Sequence, residues 1–153
     1  MNIFILSTDP LQAAKWHCDK HVIKMILESF QVLCAVFHSQ QIEAPYKLTH
    51  KNHPCTKWVM ESKENFEWVL ALGKALCDEY TERYGKSHKS ETVYNWINEQ
   101  KDRLVFEQKG LTPFVLAMPE EYKVADPVES YRNYYRKGKA HLHNWKQNKP
   151  SWL

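Results

Sequence analysis

Long apolar runs are missing from this sequence. None approaches 18 residues, so no membrane-spanning helix is expected and no membrane is expected as a partner. The opening MNIFILSTDP lacks a basic stretch followed by a long apolar one, so a secretory leader is not expected either. The protein reads as intracellular, in the cytoplasm. Also missing is any CxxC pair. Cys18, Cys34, Cys55 and Cys77 are scattered, and Cys34 and Cys77 fall on apolar helical faces. That pattern fits free thiols better than a disulfide frame. No Asp-rich cluster is present, which argues against a magnesium-dependent nuclease, because that metal wants oxygen ligands. Repeats and low-complexity linkers are absent too. The 153 residues read as one domain, 1–153, long enough to bury a core.

One sign of charge is absent from the C-terminal end. From Arg132 onward there are Arg132, Arg136, Lys137, Lys139, Lys146 and Lys149 and no acid, whereas the whole chain carries only +3. A near-neutral body with a basic tail, 132–153, suits a polyanionic partner. Tyr131, Tyr134, Tyr135 and Trp145 interleave with those cations. Such rings stack on bases or pack a helix onto the body, and Tyr131 and Tyr135 are expected to pack.

Periodicity and breakers predict an all-α fold. Residues 3–6 (IFIL) are a short strand or a buried extended arm. A first helix is expected from about Leu11 to Phe37, and a second from Pro54, capped by His53 or Asn52, to about Tyr84. Ser90 is placed to cap a third, reaching roughly Phe106. Some twenty irregular residues with Gly110, Pro113 and Pro119 follow. Asp126 then caps a fourth helix, with Pro127 first, Glu129 reaching back and Gly138 ending it. The expected architecture is a compact single-domain helical fold with a long irregular segment before the C-terminal helix.

The stretch HCDKHVIKMILESFQVLC, residues 17–34, is where chemistry concentrates. At 100° per residue, His17, His21, Lys24, Glu28 and Gln31 fall within about 80° of one another. The remaining directions are almost wholly apolar. A seam of this kind is expected to line a groove, since ionisable groups between apolar walls are costly without partners. Two readings remain open. Lys24 and Glu28, at i,i+4, are a stabilising pair; or Glu28 is an acid/base carboxylate tuned by Lys24 and His21. Zinc on His17 and His21, with His50, His53 and Cys55 as a second cluster, is a third possibility that the loose spacing disfavours; no metal and no cofactor are expected. THKNHPCTKW, residues 49–58, is the other polar concentration. Asn52 and His53 at a helix start, with Lys51 and Lys57 nearby, suit an anion, or else the first two simply cap.

The strings DKHVIKMILESFQVLC, THKNHPCTKWVMES, ALCDEYTERYGKSH, MPEEYKVAD and SYRNYYRKGKA together resemble the pyrimidine-dimer DNA glycosylase group of phage and bacterial proteins. The resemblance spans most of the chain. It implies a compact helical enzyme without a metal that removes a damaged pyrimidine and then cuts the backbone by β-elimination. It implies an amine nucleophile at the N-terminus, forming an imine with C1′, and an acid/base carboxylate on the first helix. Carried onto this sequence, the carboxylate position falls on Glu28 in one register and on His21 in another. The family's amine follows removal of the initiator methionine, whereas here Asn2 follows Met1, so the amine is Met1, Lys20 or Lys24. Phosphate contacts are expected from Lys20, Lys51, Asn52, His53, Lys57, Arg132, Arg136 and Lys137. The leading expectation is a DNA repair N-glycosylase with AP-lyase activity and DNA as its partner, with no obligate protein partner. A non-catalytic nucleic-acid-binding protein of the same fold is the alternative, and a metal-dependent nuclease comes third.

Overall fold

The computed structural model describes residues 2–153. Each of the two long helices expected from the sequence pattern is two helices in the fold. The first apolar stretch splits into α1 (Pro10–Trp16) and α2 (Asp19–Ser39). His17 is extended (φ −66°, ψ 135°), and the turn is held from outside. Arg83 donates to the carbonyls of Lys15 and His17, at 2.9 Å each. The Cys18 N–H donates to the Tyr135 hydroxyl (3.2 Å), and the Asp19 N–H to Asn144 O (2.8 Å). The helix end that α1 exposes is thus satisfied by groups remote in sequence.

The second stretch splits at Ser62 into α3 (Pro54–Glu61) and α4 (Lys63–Tyr84). Ser62 is extended, and its hydroxyl accepts from the Asn65 N–H at 3.1 Å, a helix N-cap. His53 caps α3, its Nδ1 accepting from the Cys55 N–H, and Pro54 follows as expected. Gly85 ends α4 in the left-handed region, φ 70°.

α5 (Glu91–Gln100) is shorter than the pattern suggested and ends in a 3₁₀ turn, Lys101–Arg103. Ser90 precedes it without a side-chain cap, its hydroxyl lying 2.5 Å from that of Tyr46 instead. α6 (Pro127–Asn133) begins on Asp126 and Pro127 as expected and runs on as a π-helical turn, Tyr134–Gly138. Glu129 does not reach back to the cap; it pairs with Arg136 at 2.7 Å.

Among the described residues there is no strand, only an isolated bridge between Ser62 and Gln108. Residues 3–6 are therefore the buried arm, with Ile3, Phe4, Ile5 and Leu6 all in the core. α2 packs chiefly on α4, and Gly73 makes this possible: a Cβ there would sit 2.6 Å from the Phe30 ring. The long irregular segment is tied down by polar bonds. Trp58 Nε1 donates to Pro113 O (2.8 Å), Asn65 and Thr112 bond each other, and the Tyr131 hydroxyl donates to Val115 O (2.5 Å). All four cysteines are buried free thiols. α2 has the length and apolar composition of a membrane span, but two-thirds of that window is buried inside the protein, as in a core helix.

Candidate functional site

The seam on α2 divides. His21, Lys24 and Glu28 face an open cleft of about 180 Å³, completed by Asn2, Phe4, Met25, Tyr134 and Lys139. His17 does not line it and is fully buried, with Nδ1 2.6 Å from Ala13 O. The chain crossing between α1 and α2 produces this divergence, because the helix that was expected to carry both histidines starts only after His17.

Three other segments complete the cleft. The N-terminal arm brings Asn2 and Phe4. Asn2 is anchored: its amide donates to Ala117 O (2.8 Å), and its Oδ1 accepts from the Ile3 N–H (2.8 Å) and the Cys55 thiol (3.4 Å). The last contact sets the first turn of α3 against the mouth of the site. Phe4 stacks on the His21 ring, centroids 4.5 Å apart at 22°. The π-helical turn supplies Tyr134, and Lys139 follows it. The Lys139 ammonium lies 5.1 Å from the Tyr134 ring centroid and 5.9 Å from that of Phe4. Both are cation–π distances, so the charge is held over the cleft by rings. Tyr134 in turn stacks on Tyr122 (5.2 Å, 27°), and Gly138 is required there, since a Cβ would lie 2.5 Å from the Tyr134 ring.

Glu28 is 8% exposed, while Lys24 is exposed at the rim. His21 lies at the inner wall with Nδ1 2.6 Å from the Tyr135 hydroxyl. Burial first, then the charges of His17, Lys139 and Lys24, lower its pKa to about 3. His21 is therefore neutral at physiological pH. Burial likewise lowers His17 to about 4 and, with Glu28 adding, raises the Cys55 thiol to about 11.

The other expected site residues are distributed around this centre. Met1 lies outside the described residues. Lys20 is exposed on α2 but does not line the cleft. Lys51, Asn52 and Lys57 are exposed around the start of α3, with His53 as its cap. Lys137 is exposed. Arg132 and Arg136 are largely committed to the fold. Arg132 lies 5.1 Å from the ring centroids of both Trp16 and Trp152 and donates to Leu6 O (3.0 Å). Arg136 donates to Glu129, Asn133 and Trp152 O. Among the described residues no three His, Cys, Asp or Glu side chains gather as a metal site, and the His17 and His21 ring centroids are 6.3 Å apart at 62°.

Sequence reasoning missed Asn2, Phe4 and Lys139 as cleft residues. Lys139 sat in the basic tail count, but nothing in RKGKA told it apart from its neighbours. Its role follows from the π-helical turn, which carries the chain back towards α2.

The pyrimidine dimer DNA glycosylase family model matches residues 1–92, which include the arm, α2 and α4. No curated protein and no solved structure matches the chain. A match across more than half of the residues, falling on the segments that build the inner side of the cleft, identifies the chain as a member of the pyrimidine dimer DNA glycosylase family.

Proposed function

We propose that the protein is a DNA N-glycosylase with AP-lyase activity that acts on damaged pyrimidines in the cleft bounded by Glu28, Lys24, His21 and Lys139. The observation carrying this reading is the meeting of a nearly buried carboxylate with two amines at one open cleft, in a chain of this family.

In the proposed reaction an unprotonated amine attacks C1′ of the damaged nucleotide. The C1′–N bond breaks, and the base leaves with the electron pair and takes up a proton. The amine loses its proton and, as the sugar ring opens, becomes an imine at C1′. Removal of a C2′ proton then expels the 3′ phosphate by β-elimination. Glu28 is the group suited to move these protons. His21 is less suited, because its ring stays neutral and its Nδ1 is already engaged. Lys24 lines the cleft and Lys20 does not. Lys24 is therefore preferred to Lys20 as nucleophile, and the α-amine of Met1 is kept beside it because the resemblance implies an N-terminal amine. Lys20, Lys51, Lys57 and Lys137, all exposed, are proposed to hold phosphates around the mouth. Arg132 and Arg136 are proposed to contribute mainly by holding the tail in place.

Borohydride reduction in the presence of ultraviolet-irradiated or abasic duplex DNA tests the reading. A covalent protein–DNA adduct is expected, with the modified peptide containing residue 1 or Lys24. No adduct on either substrate, with base release intact, would leave a glycosylase without lyase chemistry. Neither adduct nor base release would remove the enzymatic reading.

A further inference from the structure

Beneath the cleft, a buried tyrosine meets the one histidine that lines it. Tyr135 is fully buried, and its hydroxyl sits among three groups: the Cys18 N–H at 3.2 Å, His21 Nδ1 at 2.6 Å and the Cys18 thiol sulfur at 3.5 Å. A phenol offers one proton and two lone pairs. The backbone N–H can only donate, so it takes one lone pair. The phenol proton then has two destinations, an imidazole nitrogen at short range or a thiol sulfur at the edge of reach. The imidazole is the stronger acceptor and the closer one. Burial also holds the Tyr135 phenol well above its usual pKa, so the proton stays on the oxygen.

We infer that Tyr135 is a positioning residue that locks His21 in the tautomer protonated at Nε2, so that His21 presents a neutral N–H donor to the cleft. The Nδ1 edge of the ring is turned inward to Tyr135, which leaves the opposite edge for the cleft that His21 lines. Phe4, stacked flat on the ring, keeps it from rotating out of that plane.

A neutral donor suits the chemistry proposed for the cleft, and this part of the inference rests on the glycosylase reading. As the C1′–N bond breaks, negative charge builds on the departing pyrimidine and spreads to its carbonyl oxygen. A fixed N–H aimed at that oxygen stabilises the charge without itself changing protonation state. Lys24 and Lys139 attract the anionic backbone, Glu28 moves protons, and His21 receives the leaving base.

His17 provides an internal control. Its Nδ1 faces Ala13 O at 2.6 Å, and a carbonyl can only accept, so His17 carries its proton on Nδ1. Two histidines four residues apart are thus assigned opposite tautomers.

Long-range ¹H–¹⁵N correlation spectra of histidine-labelled, DNA-free protein near neutral pH read this directly, with His17→Gln and His21→Gln assigning the signals. His21 should show a protonated Nε2 and an unprotonated Nδ1, and His17 the reverse. Tyr135→Phe should shift His21 towards mixed tautomers while His17 stays as it was. A His21 protonated at Nδ1 in the wild-type protein would overturn the assignment without any reference to catalysis. If Tyr135→Phe fails to fold, that wild-type spectrum still decides.

A kinetic arm tests the role. His21→Ala should lower single-turnover base release by about 10²–10³-fold, the usual worth of one such donor. His21→Gln, whose amide N–H falls near Nε2, should recover at least roughly tenfold of that loss. Equal rates for the two variants would overturn the donor role, even with the tautomer confirmed.

Discussion

Two groups of ionisable residues sit at opposite edges of the same helix, two residues apart at their nearest, and they are built on opposite principles. On one side of α2, Asp19 meets Arg83, whose side chain has no exposure at all. Arg83 Nε pairs with Glu79 (3.0 Å), and Glu79 accepts further bonds from Gln147 and Asn148. Asp19 also accepts from the Lys146 N–H (3.0 Å). These bonds tie α2, α4 and residues 146–148 together, so the cluster straps the C-terminal tail over the α1–α2 turn. On the other side, His21, Lys24 and Glu28 open on a cleft. The first group lies inside the fold, whereas the second lines a cleft that solvent reaches. Burial alone does not separate the two sets, since Glu28 and Asp19 are almost equally covered.

The sharpest break of this comparison is Arg83→Ala. It leaves Asp19 and Glu79 buried without their cation, and stability should fall by about 3–5 kcal/mol. Urea unfolding would measure it, and the tail should become more accessible to protease in the same variant.

Acid should weaken the fold through its two buried histidines. His17 and His21 have folded pKa values lowered to about 4 and 3, below the ordinary 6.5. The unfolded chain therefore binds protons that the folded one refuses. Stability is full above about pH 6.5 and is lost as pH falls towards 4, at up to about 1.4 kcal/mol per pH unit for each histidine. Unfolding curves between pH 7 and 4.5 should show this loss, and His17→Gln should flatten it.

Gly73→Ala tests the α2–α4 approach. The new methyl would meet Phe30, itself fully buried, and overpacking of this kind costs about 1–3 kcal/mol. The smallest effect is expected at the mouth of the cleft. Lys24→Ala with Lys139→Ala should leave stability nearly unchanged and lower the salt slope of DNA binding by about 2 units, near 0.9 per lost phosphate contact. The same slope should barely move in Arg132→Gln, whose cost should appear in unfolding, about 0.5–2 kcal/mol for its lost ring contacts.

What could be read in advance was what is local. The seam of His21, Lys24 and Glu28 follows from helical spacing, and the His53–Pro54 and Asp126–Pro127 starts follow from cap chemistry within three residues. The break at His17 could not be read, because HCDKHV keeps its helical period while the groups that stop it come from Arg83, Tyr135 and Asn144. The break at Ser62 was visible in principle: a serine three residues before Asn65 is a cap signal, hidden here by an apolar stripe running through it. The tail shows the limit of composition. Its six cations look alike in sequence, yet Arg132 is sandwiched by tryptophans, Arg136 is paired, Lys137 is exposed and Lys139 reaches the cleft.

If the cleft-lining group of α2 does the chemistry and the closed one does not, Glu28→Gln should separate them. Single-turnover base release from ultraviolet-irradiated duplex DNA would be measured beside the urea midpoint and the DNA affinity of the same protein. The rate should fall by about 10²–10⁴-fold in protein that stays folded and binds DNA with close to wild-type affinity. Base release at the wild-type rate in a folded, DNA-binding Glu28→Gln protein would contradict it.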